Sequence, residues 1–112
     1  MIRFKPDVRI GYLTMQLFTV LHMAAVWSFR ARVDVDVNSI EDGAGVHMSG
    51  SLHGYGLAID LDTVGDKPAD LESLAAFARV WLDPQFDVVY EGDHLHVEWD
   101  AHRPPLRKAV AT

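Results

Sequence analysis

Along the chain, the apolar residues change their spacing from one segment to the next, and each spacing predicts an element. Leu13, Leu17, Val20, Leu21 and Ala24 recur at the three- and four-residue intervals of one helical face, which predicts a helix over about residues 8–28. Pro6 and Asp7 suit its start, because the first turn has no use for the N–H that proline lacks and aspartate is favoured at the positive end of the helix dipole. "RVDVDVNS" then alternates, with Val33, Val35 and Val37 on one side and Asp34 and Asp36 on the other, predicting a half-buried strand over about 32–38. The glycine-rich "IEDGAGVHMSG" reads as a loop. "GLAIDLDT" resumes a strand over about 57–62. After Lys67 and Pro68, "ADLESLAAFARVWL" predicts a second helix over about 69–82, with Leu71, Leu74, Ala75, Ala78, Val80 and Leu82 as a broad apolar side. "FDVVY" and "HLHVEW" read as a hairpin turning at Glu91, Gly92 and Asp93, and residues from about 101 to 112 as an exposed tail.

This order of elements predicts an α+β fold, a small antiparallel sheet with helices over one face and the other face free to carry chemistry. A chain of 112 residues has room for one domain with one core, so the expected domain spans 1–112.

Composition narrows the chemistry. With 16 acidic residues against 10 Lys and Arg, the net charge of −6 argues against nucleic acid as the partner, since phosphate binding rests on clustered cations. Cysteine is absent, which excludes disulfides and thiolate-held metals and leaves His, Asp and Glu as the donors for any metal. The nearest approach to a targeting signal is "LFTVLHMAAVW", behind Arg3, Lys5 and Arg9. It reads instead as a core helix, because His22 interrupts it and no small-x-small cleavage site follows. It is also too short to span a membrane.

Two polar clusters remain. Strand alternation in "HLHVEW" puts His94, His96 and Glu98 on one face and Leu95, Val97 and Trp99 on the other. In the strand over 57–62, Leu57, Ile59 and Leu61 share one side, and Ala58 and Asp60 the other. Packing both apolar sides on the core brings Asp60 to the face of His96, with small Ala58 leaving room beside it. His53, on its glycine-flanked loop, can fold over the same spot. Two imidazoles and a carboxylate supply three zinc ligands and leave a fourth position for water, as in catalytic rather than structural sites. Each residue also has an ordinary reading: a surface strand histidine for His94 or His96, a hydrogen-bonded buried carboxylate for Asp60, a helix residue at the core edge for His22, and a tail residue for His102.

"SLHGYGLAID" resembles the SxHxxGxAxD signature of the zinc D-Ala-D-Ala carboxypeptidase and L-Ala-D-Glu endopeptidase family, agreeing at Ser51, His53, Gly56, Ala58 and Asp60. "DHLHVE" is similar to that family's second motif, an acid followed three residues later by a zinc histidine. The resemblance covers about residues 37–100. It implies the family's fold, a small α+β domain around an antiparallel sheet shared with the hedgehog signalling domain. It also implies one zinc ion held by His53, Asp60 and His96, with Asp93 as the catalytic carboxylate. Glu91 is the rival base, three residues before His94; the "VE" after His96 favours the Asp93 and His96 pair.

The resemblance further suggests a hydroxyl at Ser51 that supports the site or touches substrate, where a loop hydrogen bond is the plain alternative. His47 would polarise substrate and Tyr55 would line the cleft, unless both are simply loop residues. His94 would face the developing oxyanion or solvent, and Glu98 would orient an imidazole or stand solvated. One departure concerns the arginine that many members use to clamp a substrate carboxylate. This chain has no arginine between Arg32 and Arg79, so Arg32 would have to serve, which tilts the expectation toward an endopeptidase.

The implied protein is a zinc metallopeptidase, an endopeptidase or D,D-carboxypeptidase, that cuts the peptidoglycan stem peptide. It is expected to be a monomer of phage or bacterial origin, made in the cytoplasm and acting on the cell wall. The alternatives are a non-catalytic zinc-binding module on the same fold and a D-Ala-D-Ala dipeptidase.

Overall fold

A computed structural model describes residues 1–8, 15–41, 57–65 and 67–99. In chain order these form β1 (Ile2–Phe4), α1 (Met15–Ala31), β2 (Val35–Glu41), β3 (Leu57–Thr63), α2 (Pro68–Trp81), β4 (Phe86–Tyr90) and β5 (Leu95–Trp99). The strands make one sheet in the order β1-β2-β3-β5-β4. The fold is α+β, as the order of elements predicts, but the sheet is mixed. β1, which no sequence pattern announces, runs parallel to β2 at the edge, and the other pairings are antiparallel. Arg3 Nε donates to Asp36 Oδ1 at 2.7 Å across that parallel pair.

One sheet face carries Val35, Val37, Leu57, Ile59, Leu61, Val88, Leu95 and Val97, all buried in the core. α1 lays Leu17, Val20, Met23, Ala24 and Trp27 on it, and α2 adds Leu71, Leu74, Ala75 and Ala78. Trp27 Nε1–H donates to Ser73 Oγ at 3.1 Å, tying the two helices together. Val80 is a correction: it is 88% exposed, because two residues past Ala78 is about 200° around a helix. Leu82 is buried, but as the residue that ends α2.

Several boundaries also move. Pro6 and Asp7 form a turn closed by Val8 N–H on Lys5 C=O at 3.0 Å. Leu13 and the expected first turns of α1 fall within 9–14, outside the described residues. At its other end α1 runs on to Ala31 and stops at Arg32, whose φ of 60° is left-handed. Pro68 opens α2 at a position that needs no N–H. The tail expected over 101–112 lies outside the described residues. No described helix is long and apolar enough to cross a membrane.

The change that matters most is in β2. It continues three residues past Asn38, into the stretch expected to be loop, and its register against β3 slips: Val37 pairs with Leu61, but Ser39 pairs with Asp60 and Ile40 with Ile59. Asn38 is the extra residue of a β-bulge, a device that re-aims the side chains beyond it. Unbroken alternation from Val37 would send Ser39 inward and Ile40 outward. With the bulge, Ile40 packs against the core and Ser39 faces away from the helices.

Candidate metal and acid–base site

Asp60 lies in the central strand between Ile59 and Leu61, both fully buried, and its own side chain projects to the opposite face. β3 and β5 pair without a slip, so Asp60 stands directly opposite His96. Asp60 Oδ1 and His96 Nδ1 are 2.8 Å apart. The second carboxylate oxygen accepts a hydrogen bond from Ser39 Oγ at 3.1 Å, and His96 Nε2 is 3.2 Å from Glu98 Oε1. A carboxylate between two fully buried neighbours is thus held by a hydroxyl on one flank and an imidazole on the other. The side chains of Asp60 and His96 remain 31% and 28% exposed, so solvent reaches both.

Burial is the largest influence on His96 and pulls its pKa down. The hydrogen bonds to Asp60 and Glu98, with the charges of these carboxylates, outweigh it and leave the imidazole above its ordinary value.

The hairpin turn adds a second group. Gly92 takes a φ of 90°, which glycine adopts without Cβ strain, and Glu91 N–H bonds His94 C=O at 2.9 Å. His94 is thereby set between two carboxylates. Its Nδ1 is 2.7 Å from Asp93 Oδ1 and its Nε2 is 2.8 Å from Glu91 Oε1. The hydrogen bond to Asp93 is the main reason the His94 pKa is raised, against a smaller lowering by burial, with Asp60 and Glu91 adding to the rise. Asp93 in turn is held below the usual carboxylate range, chiefly by its bond to His94.

Asp60, His96, Glu98, Asp93, Glu91 and His94 are therefore distributed over β3, β5 and the turn that joins β4 to β5. Ser51, His53, His47 and Tyr55 lie outside the described residues. Ala58, expected to leave space beside Asp60, is itself buried at 6% exposure; it occupies the middle strand, opposite Glu41 on one side and Glu98 on the other. Arg32 borders a surface hollow with Asp34, Val64, Gly65 and Lys67, beyond the Thr63 end of β3. Ser39 is the residue the sequence pattern does not reveal, since its outward position depends on the bulge.

Among the described residues, no group of three His, Cys, Asp or Glu side chains is arranged to hold a metal ion. Asp60 and His96 alone supply two donors of suitable type. Two donors about 2.0–2.1 Å from one zinc ion in a tetrahedral array are roughly 3.3 Å apart. The Asp60–His96 contact of 2.8 Å is shorter, so this pair would open by about half an ångström for an ion to take the place of the shared proton. Glu98 already stands at the other ring nitrogen, where metal-bound histidines commonly meet a carboxylate. The donors fit. No protein-family model, curated protein or solved structure matches the chain.

Proposed function

We propose that the protein is a zinc metallopeptidase that hydrolyses a peptide bond in the peptidoglycan stem peptide. The observation that carries this reading is the in-register pairing of Asp60 with His96 at 2.8 Å, on the sheet face away from the helices, with Asp93 in the turn that leads into the strand of His96. It is supported by the order and spacing of the two motifs to which these residues belong. Asp60 and His96 would hold the ion together with His53. A bound zinc ion supplies Lewis-acid polarisation of the scissile carbonyl and acidifies a water molecule.

The chain's own residues do the rest. Asp93, held low by His94, is ionised at neutral pH and free to accept a proton from the attacking water. It then returns that proton to the nitrogen of the leaving amine as the C–N bond breaks. Ser39 and Glu98 keep the carboxylate of Asp60 and the ring of His96 from rotating away. The reading places the enzyme's action at the cell wall.

The test is peptide release from purified peptidoglycan by zinc-loaded wild type, Asp93→Ala and His96→Ala, with zinc content measured on each. Release by the wild type, loss in Asp93→Ala with zinc retained, and loss of both in His96→Ala support the peptidase. A fully metallated wild type that releases nothing defeats it in favour of a zinc-binding module. The mass of the released fragment identifies the bond cut.

A further inference from the structure

We infer that His94 is the positioning residue for Asp93, and that Glu91 anchors His94 rather than competing with Asp93 as the base. The inference rests on the peptidase reading and assigns roles within the same site. Asp93 sits in a two-residue loop with its side chain 90% exposed. Two groups hold its carboxylate, its own backbone N–H and His94, and the imidazole is the stronger of the two. The Nδ1 of His94 lies 2.7 Å from Asp93 Oδ1 and its Nε2 lies 2.8 Å from Glu91 Oε1, so that the protonated ring donates to both carboxylates. The ring is therefore held at both ends while only one end touches Asp93. Backbone geometry reinforces the clamp, because the Glu91 N–H to His94 C=O bond brings the two loop flanks together.

The chemistry follows from this order. Asp93 keeps Oδ2 for the proton in transit, since Oδ1 is the atom His94 engages. Glu91 has Oε1 committed to the ring of His94, and it is His94 that feels the charge of Asp60. An acid–base group must lie within hydrogen-bond reach of its proton in a defined direction, and misplacement is costly to turnover even where binding is untouched.

The experiment uses the zinc-loaded full chain and three substitutions at one position. His94→Asn keeps a donor near the place of Nδ1, His94→Gln carries its donor out toward Glu91, and His94→Leu keeps bulk alone. Turnover of a stem-peptide fragment gives kcat and KM, and chelator competition gives zinc affinity. The expected result is a kcat about tenfold or more lower in His94→Leu and His94→Gln, with KM and zinc affinity within about twofold of wild type. His94→Asn should recover most of the loss, and Glu91→Gln should lower kcat less than Asp93→Ala does. A His94→Leu enzyme with wild-type kcat overturns the inference, as does equal impairment of all three variants or a fall in zinc affinity that tracks the fall in kcat. An inert zinc-loaded wild type removes the peptidase reading itself, and this assignment with it, whereas an active wild type indifferent to His94 removes this assignment alone.

Discussion

Replacing Ser39 by alanine tests the β-bulge and the site together. The substitution removes one oxygen and leaves no sizeable cavity, so its effect is that of the hydrogen bond from Ser39 Oγ to Asp60 Oδ2 at 3.1 Å. A hydrogen bond to a charged group contributes roughly 1.5–3 kcal/mol. The Asp60 side chain is 31% exposed, so water replaces part of the lost partner, and about 1 kcal/mol is the expected loss in the metal-free protein. In a domain of this size that corresponds to several degrees in Tm. If Asp60 holds zinc, losing the group that orients it lowers affinity by about tenfold.

Thermal and urea unfolding of the metal-free chain read the first effect, and chelator competition reads the second. Asn38→Ala is the control, since the Asn38 Oδ1 is buried with no hydrogen-bond partner among the described residues. That change should be neutral or mildly stabilising. Should Asn38→Ala be the damaging substitution and Ser39→Ala the silent one, β2 would alternate without a bulge, and the assignment of Ser39 to the outer face would be wrong.

Three further outcomes are expected. Arg32→Gly should raise stability by about 1 kcal/mol in urea unfolding, because a side chain at φ 60° strains the end of α1 and glycine does not; a loss would show that the Arg32 side chain holds something in place. Leu74→Ala should cost about 2–5 kcal/mol, since Leu74 is fully buried between α2 and the sheet, whereas Val80→Ala should stay within about 0.5 kcal/mol; similar effects at the two positions would contradict the orientation of α2. For pH, ligation needs a neutral imidazole, and His96 is held above 6.5 because its bonds to Asp60 and Glu98 outweigh burial. Zinc affinity should therefore begin to fall on acidification while the pH is still above that value, and Glu98→Gln should move the onset downward; an onset below 6.5 in the wild type would count against the pairing.

What the sequence makes legible depends on how far a local period survives tertiary pairing. β3 and β5 pair residue for residue, so alternation in "GLAIDL" and "HLHVEW" correctly puts Asp60 and His96 on one face. Only the register that sets them opposite each other comes from the sheet. The helices are legible for the same reason: Leu17, Val20 and Ala24 repeat at the period their packing uses, as do Leu71, Leu74 and Ala78. Val80 misleads because a count of apolar residues ignores the angle at which each leaves the helix. β1 is illegible because three residues are too few to show a period, and its place depends on a parallel partner more than thirty residues away. The bulge is harder still. "RVDVDVNS" is a faultless alternation up to Val37, and nothing in its composition marks Asn38 as the residue that goes uncounted. One extra residue reverses the parity of everything after it, so Ser39 and Ile40 exchange faces while the sequence stays the same. The hydroxyl that steadies Asp60 is thus set by a shift in pairing, and an isolated strand of the same sequence would turn it the other way.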